Sequence, residues 1–127
     1  MMDIDFFKQV NDEFGHQIGD YVLKEIAVIL KNLTRGLDIV GRWGGEEFMI
    51  ICTDTTIDGA YLLAENLRKA IQDHTFKDVG KKSASFGVAQ IKDNITIDKL
   101  IQNVDKALYL AKNNGRNQCV KSSELVL

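Results

Sequence analysis

Apolar residues recur at two spacings along the 127-residue chain, and these spacings predict an alternation of strands and helices. Spacings of three and four residues predict a helix that ends at Gly15, a long helix capped by Asp20, a helix beginning near Thr56 or Asp58, and one capped by Thr96. Short apolar runs predict five strands, at residues 1–4, 38–43, 47–52, 83–91 and 118–121. With the first two helices counted as one crossover, the predicted order is β-α-β-β-α-β followed by α-β.

Glycines punctuate this pattern in place of proline, which the chain lacks. Gly44 and Gly45 separate two strand-like runs and predict a hairpin, because both positions accept a positive φ. The second run of that pair is apolar on both faces, which predicts an interior strand. Gly87 predicts a bulge or a close approach within its strand, and Gly115 ends the last helix as a left-handed cap.

This element order predicts an α+β fold with a ferredoxin-like core. In such a core an antiparallel sheet is covered on one face by the helices of the βαββαβ unit, here followed by a further helix and strand. The third strand then lies antiparallel between the first and second, so the end of the first strand adjoins the hairpin turn. We therefore expect three or four carboxylates to meet at this edge, from among Asp3, Asp5, Glu46 and Glu47.

Converging carboxylates repel one another and favour protonation or a bound cation. Hard oxygen ligands select Mg²⁺ or Mn²⁺, so this edge is a candidate two-metal phosphoryl-transfer site. The alternative is that these acids are solvated turn residues.

Phosphate groups need a partner other than a P-loop, because the chain has no such motif. Backbone amides at Phe6 and Phe7, where a helix begins, could bind them, with Lys8 alongside. Lys112 and Arg116 flank Gly115 and could add two cations. The alternative for both cations is that they only oppose the helix dipole.

Composition narrows the function classes. The length predicts a single domain over residues 1–127. Its 16 basic and 18 acidic side chains leave no excess of positive charge, which a protein that binds nucleic acid without sequence preference would need. Cys52 and Cys119 lie in apolar runs without metal-ligand spacing, which indicates reduced thiols and a cytoplasmic protein. No apolar stretch approaches the roughly 20 residues of a membrane span, so we expect no membrane contact.

Six ordered motifs resemble the diguanylate cyclase, or GGDEF, domain, over residues 3–121. They are Asp3-Ile4-Asp5-Phe6-Phe7-Lys8, Asn11-Asp12, Gly15-His16-x-x-Gly19-Asp20, Arg42-Trp43-Gly44-Gly45-Glu46-Glu47-Phe48, Ser83-x-Ser85-x-Gly87, and Ala107-x-Tyr109-x-Ala111-Lys112-x-x-Gly115-Arg116-Asn117. Glu46 replaces the aspartate of the commonest signature and gives the GGEEF variant. The family fold is a palm like that of nucleotide cyclases and polymerases, which agrees with the predicted topology.

The resemblance implies condensation of two GTP molecules into cyclic di-GMP with release of pyrophosphate. Asp3, the Ile4 carbonyl and Glu46 would hold two Mg²⁺ or Mn²⁺ ions, and Glu47 would assist. Glu46 would also help to activate the ribose 3′-hydroxyl. Asn11 and Asp20 would bind the guanine edge, and the phosphates would be held by Phe6, Phe7, Lys8, Lys112 and Arg116.

Arg35-x-x-Asp38 resembles the family's product-inhibition site for cyclic di-GMP, and Arg68 could supply a second product contact. Without the resemblance, a surface ion pair at a helix-to-strand turn would explain Arg35 and Asp38 equally well. We expect His16 to be a structural loop residue. Trp43 and Tyr109 are expected to serve packing.

The sequence departs from the family at its start, where it lacks the usual helix and the Asp-x-Leu-Thr-Gly-Leu-x-Asn-Arg segment. This predicts a domain cut from a larger signalling protein, with an N-terminal sensor or receiver that controls dimerisation. One GTP per site implies a two-fold homodimer for catalysis. Two alternatives remain: a non-catalytic module that binds GTP or cyclic di-GMP, and an unrelated ferredoxin-like interaction domain.

Overall fold

The computed structural model describes residues 1–124. Its strands are β1 (Met2–Ile4), β2 (Ile39–Arg42), β3 (Glu47–Ile51), β4 (Thr75–Phe76), β5 (Gly80–Lys81), β6 (Ala84–Val88) and β7 (Cys119–Lys121). Its α-helices are α1 (Phe7–Phe14), α2 (His16–Leu33), α3 (Ile57–Asp73) and α4 (Ile97–Asn113), and a 3₁₀ turn follows at Ser122–Glu124. Within this described range, no helix is long and apolar enough to cross a bilayer.

Five strands form the main sheet in the order β2-β3-β1-β6-β7. β1 pairs antiparallel with both β3 and β6, which places Asp3 opposite Glu47 and Ile4 opposite Ala84. β2 pairs antiparallel with β3, and only β6 and β7 of this sheet run parallel. The predicted α+β class and the position of the third strand between the first and second are therefore confirmed.

Helices cover both faces of this sheet because its side chains alternate between the faces. On one face, Met2 and Ile4 join the core with buried residues of α2 and α3, including Ile26 and Leu67. On the other face, α4 buries Val104 and Leu108 against Met1, and Ala107 and Ala111 against Val120. The helices of the βαββαβ unit therefore lie on one face of the sheet, as predicted, and α4, which follows that unit, covers the other face.

Gly87 allows α4 to approach the sheet closely. A β-carbon at Gly87 would lie 2.5 Å from the backbone nitrogen of Leu108, a distance at which backbone atoms must move apart. The predicted close approach is confirmed.

Three of the predicted helix ends are also confirmed. The hydroxyl of Thr56 accepts from the Gly59 amide and that of Thr96 from the Lys99 amide. At the end of α4, Gly115 has φ +113° and the Arg116 amide bonds to the Ala111 carbonyl, which is a Schellman closure.

The start of α2 differs from the prediction. Asp20 is not a cap: α2 begins at His16, after Gly15, and Asp20 lies one turn inside it. The Gly19 amide bonds to the Gly15 carbonyl at 3.1 Å, so residues 15–19 form the first helical turn and not a loop. Gly15 has φ +87°, a conformation that favours glycine, and this sharp junction lets one helix follow another directly.

The hairpin is present, but its turn is built differently from the one predicted. Neither Gly44 nor Gly45 has a positive φ. The amides of Trp43 and Gly44 instead share the Glu47 carbonyl, at 2.8 and 3.3 Å. β3 is interior as predicted, although its last residue, Ile51, is exposed.

The expectation that Trp43 and Tyr109 serve packing was wrong, since they are 53% and 66% exposed. Cys119 is buried and Cys52 is half-buried, both as free thiols. The sequence pattern also missed the small β4–β5 hairpin between α3 and β6.

Candidate functional site at the end of the central strand

The end of β1 and the hairpin turn meet as the topology predicts. The Ile4 amide donates to the Glu46 carbonyl at 3.2 Å, next to the pairing of Asp3 with Glu47. Three of the predicted acids, together with the backbone of Ile4, are thereby brought to one edge of the sheet.

Asp3 is the most enclosed of these three acids, with 5% of the residue exposed. Burial raises the pKa of its carboxyl, and the negative charges of Glu46 and Glu47 raise that pKa further. Lys112 acts in the opposite direction, because its ammonium donates to the Asp3 carboxylate and lowers that pKa. The predicted phosphate ligand Lys112 is thus the countercharge of the predicted metal ligand Asp3.

The acids here have the chemistry that a hard divalent cation requires. A buried carboxylate with two acidic neighbours and a single ammonium partner offers oxygen donors and an excess of negative charge. Among residues 1–124, however, no three His, Cys, Asp or Glu side chains are already gathered in a metal-binding arrangement. The donor set fits Mg²⁺ or Mn²⁺, with Lys112 in competition for Asp3.

Asp5 does not join these acids. It is 1% exposed, and its carboxylate accepts from the hydroxyls of Ser83 and Ser85, both at 2.7 Å. The backbone amide of Asn117 donates to it as well, at 3.0 Å. Of the three or four carboxylates expected to converge, Asp5 is therefore not one, because its carboxylate binds β1 to β6 and to the segment after α4.

Two of the predicted phosphate ligands, Phe6 and Arg116, contact each other beyond the end of β1. Phe6 has φ +56° and is 49% exposed, and the guanidinium of Arg116 lies over its ring, 4.6 Å from the ring centre. Arg116 also lies 3.9 Å from the Asp5 carboxylate. Lys8 is exposed, whereas the side chain of Phe7 is buried in the core, so Phe7 offers only its backbone.

Asn11 and Asp20, the predicted guanine ligands, lie on the two helices that pack together as α1 and α2. The Asn11 side chain fills the space beside Gly19, where a β-carbon would collide with its Oδ1. Asp20, the next residue, is exposed. Gly19 is a residue whose role the sequence analysis missed: it makes room for the Asn11 side chain against α2, one residue before Asp20.

Arg35 and Asp38 contact each other between α2 and β2. Arg35 donates to the Asp38 carboxylate from Nε, from Nη2 and from its backbone amide, at 3.3, 3.1 and 2.9 Å. Its Nη2 also reaches the Thr53 carbonyl and the Thr55 hydroxyl. Hydrogen bonding to Arg35 lowers the pKa of Asp38. The structure thus shows the ion pair, and the product site stays a prediction.

Arg68 does not reach this pair within one molecule. It lies eleven residues beyond the first residue of α3, roughly 16 Å along the helix axis. Its guanidinium is instead bound to Glu65, Gln72 and Asn117. His16, predicted to be structural, is exposed at the start of α2.

Arg42 is a further residue that the sequence analysis passed over. Its Nε donates to the Gly44 and Gly45 carbonyls, both at 3.1 Å, and its Nη2 donates to the Gly45 carbonyl at 2.6 Å. The guanidinium therefore braces the turn that carries Glu46. An arginine two residues before a Gly-Gly turn is the signal that could have shown this.

Comparison with known proteins identifies the family of this chain. A family model described as "Diguanylate cyclase, GGDEF domain" matches residues 1–118. Diguanylate cyclase A of Treponema denticola is 41% identical over 126 residues, covering 96% of this chain and 34% of the relative. Diguanylate cyclase DgcM of Escherichia coli K12 is 42% identical over 118 residues, covering 93% of this chain and 29% of the relative. The chain thus spans about a third of these curated relatives.

Solved structures agree with this match. The active GGEEF domain of a Vibrio cholerae diguanylate cyclase superposes with a TM-score of 0.89 at 36% identity, covering 95% of this chain and 79% of that one. The GGDEF domain of DgcB from Caulobacter crescentus, in complex with c-di-GMP, superposes with a TM-score of 0.91 at 29% identity, covering 97% and 75%. By sequence and by fold, the chain belongs to the GGDEF diguanylate cyclase domain family.

Proposed function

We propose that this domain is a diguanylate cyclase that condenses two GTP molecules into cyclic di-GMP and two pyrophosphates. In each of the two condensations the 3′-hydroxyl of one GTP loses its proton with the help of Glu46, its oxygen bonds to the α-phosphorus of the other GTP, and the bond from that phosphorus to the leaving pyrophosphate breaks. The observation that carries the proposal is the buried Asp3 beside Glu46 and Glu47, with the Lys112 ammonium bound to it.

The same observation favours a cyclase over a binding module. A buried carboxylate with two acidic neighbours repels a polyphosphate unless a cation intervenes. A protein that only bound GTP would be served better by a neutral or basic edge. The non-catalytic GTP-binding or cyclic di-GMP-binding module remains the second candidate, and it is supported by the paired Arg35 and Asp38.

Asp3, the Ile4 carbonyl, Glu46 and Glu47 would hold two Mg²⁺ or Mn²⁺ ions. When bound, such ions lower the pKa of the attacking hydroxyl and neutralise charge on the phosphates. The chain's own residues bind and orient the nucleotide. Arg116, Lys8 and the backbone amides of Phe6 and Phe7 would hold the phosphates, and Lys112, which contacts Asp3, would add a further cation for them.

Guanine recognition falls to Asn11 and Asp20. A carboxylate can accept from the ring N–H and the exocyclic amine of guanine, while the amide of Asn11 can pair with another polar atom of the base. Adenine presents a different donor and acceptor pattern, so ATP is rejected because polar groups of the site would be left unpaired.

A homodimer completes the reaction, because each molecule supplies one guanine site and one acidic edge for one GTP. We further propose a parent protein in which an N-terminal sensor or receiver controls this pairing; the chain spans only about a third of the length of these two relatives. A solved relative, diguanylate cyclase SiaD from Pseudomonas aeruginosa, forms a complex with its activator SiaC, which supports control by a protein partner. We place this domain in the bacterial cytoplasm, where GTP is available, with no nucleic-acid or membrane contact of its own.

Feedback by the product is proposed at Arg35 and Asp38. The guanidinium can grip a phosphate or the Hoogsteen edge of guanine, and the carboxylate can accept a hydrogen bond. The DgcB structure with c-di-GMP supports product binding by a domain of this fold.

The proposal is tested by cyclic di-GMP formation from GTP with Mg²⁺, for the unchanged chain and for Glu46→Gln. We expect Glu46→Gln to lose about 100-fold in rate, as removal of a charge-stabilising group typically does. Asp93→Asn, which neutralises an exposed loop acid, is the matched control and should leave the rate unchanged. Binding of GTP or cyclic di-GMP without turnover, in the chain alone and in its full-length parent, would replace the cyclase with the binding module.

A further inference from the structure

Arg68 on α3 contacts the segment that follows α4, although 49 residues separate it from Asn117 in sequence. Its Nη1 donates to the side-chain oxygen of Asn117 at 3.1 Å and to Gln72 at 2.9 Å. Glu65 accepts from its Nε and Nη2 at 3.1 and 2.9 Å. The Arg68 side chain is only 15% exposed. A guanidinium with these partners is rigidly held.

The segment that Arg68 contacts is a turn that needs external support. Gly115, Arg116 and Asn117 have φ of +113°, +64° and +48°, so three consecutive residues adopt positive φ. For arginine this conformation is unfavourable, and such backbones persist only where their surroundings fix them. Gln118 adds local hydrogen bonds to the carbonyls of Asn114 and Arg116.

Asn117 receives this support on two sides. Its backbone amide donates to the Asp5 carboxylate at 3.0 Å and to the Ser85 hydroxyl at 3.2 Å. Its side-chain oxygen accepts from Arg68. The backbone of this residue is thereby fixed to the sheet, and its side chain is fixed to α3.

Arg116 precedes Asn117 directly, and its direction follows from this fixed turn. Its guanidinium lies over Phe6 and beside Asp5, at the edge proposed to hold the phosphates. A turn free to relax would let the arginine side chain leave the Phe6 ring, because an exposed cation–π contact is too weak to hold it there alone.

We infer that Arg68 is a positioning residue for nucleotide binding: through Asn117 it holds the turn that aims Arg116 at the triphosphate of GTP. This inference rests on the proposed function for the identity of the ligand. Lysine cannot replace Arg68 here, because one ammonium cannot serve the planar, multiply bonded arrangement of Glu65, Gln72 and Asn117.

The first test needs no nucleotide. Because the guanidinium of Arg116 lies 4.6 Å from the centre of the Phe6 ring, we expect the ring current to shift the NMR resonance of the Arg116 Nε–H group, and that resonance then reports the position of the guanidinium. We expect Arg68→Ala to move it toward the value of an unrestrained arginine. Asn117→Gly should do the same, because glycine keeps the positive φ and the backbone amide but removes the acceptor for Arg68. Gln72→Ala, which removes another partner of Arg68 and leaves Asn117 in place, is the matched control.

The second test measures GTP affinity by calorimetry. We expect Arg68→Ala and Asn117→Gly each to weaken binding about 10-fold, and Arg116→Ala at least as much, a loss typical of one charged contact. If Arg68 acts through Arg116, the double variant Arg68→Ala/Arg116→Ala binds within about twofold of Arg116→Ala alone. Gln72→Ala should remain within about twofold of the unchanged chain.

The results separate the two proposals. If the unchanged chain does not bind GTP, the proposed function fails, and the Arg116 resonance alone decides the role of Arg68. If GTP binds and the losses of Arg68→Ala and Arg116→Ala add in full, or the Arg116 resonance stays in place, the positioning role is overturned. If Arg68→Ala does not fold, Asn117→Gly and the double variant Asn117→Gly/Arg116→Ala replace it. The position of the Arg116 resonance and the additivity of the affinity losses then decide the role of Arg68 in the same way.

Discussion

At the scale of single residues, Gly19 shows how one missing side chain shapes a binding surface. The Asn11 side chain occupies the place that a β-carbon at Gly19 would take, next to Asp20. The glycine therefore sets where the Asn11 amide lies relative to α2, the helix that carries Asp20. Spacing alone had suggested a loop with Asp20 as a cap, and it gave no reason for a glycine inside a helix, where glycine costs about 1 kcal/mol relative to alanine.

Gly19→Ala is expected to displace the Asn11 side chain, although alanine itself favours helix formation. We expect GTP binding to weaken about 10-fold, because one hydrogen bond to the base is worth roughly 1–1.5 kcal/mol. Calorimetry measures the affinity for GTP and thermal unfolding measures the melting temperature. We expect the affinity to fall whether or not the melting temperature changes. Gly41→Ala is the control, since a β-carbon there meets nothing within 4 Å. If Gly19→Ala binds GTP as well as the unchanged chain does, the guanine assignment of Asn11 loses its geometric support.

At the scale of elements, the sequence predicted the sheet more reliably than the junctions. Alternating apolar residues and the Gly44-Gly45 pair determine which strands exist, and topology rules then place β3 between β1 and β2. The junctions depend on contacts that no local pattern shows. The turn at Gly44 is braced by Arg42 and by the Glu47 carbonyl, and the β4–β5 hairpin has strands of two residues each, too short for a periodic signal.

The Arg35–Asp38 pair joins the α2–β2 connection to the segment between β3 and α3, and it predicts a dependence on pH. Hydrogen bonding to Arg35 lowers the pKa of Asp38 below its usual value of 3.8. The folded state therefore binds its proton less readily than the unfolded state does, and stability rises with pH in this range. This contribution is fully present above pH 3.8 and is lost as the pH falls through the lower, folded-state value.

Asp38→Asn is therefore expected to lower the free energy of unfolding at pH 7, and to lower it less as the pH falls below 3.8. Urea unfolding at a series of pH values measures this difference. Asp93→Asn, an exposed acid in the loop before α4, is the control and should show little difference at any pH. An equal loss at pH 7 and at the acid end would mean that the Asp38 charge does not stabilise this connection.

At the scale of the whole molecule, the acids of the site could be predicted because topology alone brings Asp3 to Glu46 and Glu47. The sequence could not show that Asp5 differs from these acids, because the partners of its carboxylate come from β6 and from the turn after α4, far along the chain. The role of Arg68 was equally hidden, since its partner Asn117 lies on another element. Spacing shows which residues are near in sequence, whereas burial and hydrogen bonding decide which carboxylate is free for chemistry.

The proposed reaction also makes a prediction about assembly, because one molecule holds one GTP and the product needs two. Cyclic di-GMP formation per mole of chain should rise with chain concentration until dimers are saturated. Mixing equal amounts of the unchanged chain and Glu46→Gln at fixed total concentration should reduce the rate to about one quarter, since only pairs of two unchanged chains complete both bonds. Mixing with Asp93→Asn should leave the rate as it was. A rate in the mixture that is proportional to the unchanged fraction, and so falls only to one half, would mean that one molecule performs both condensations.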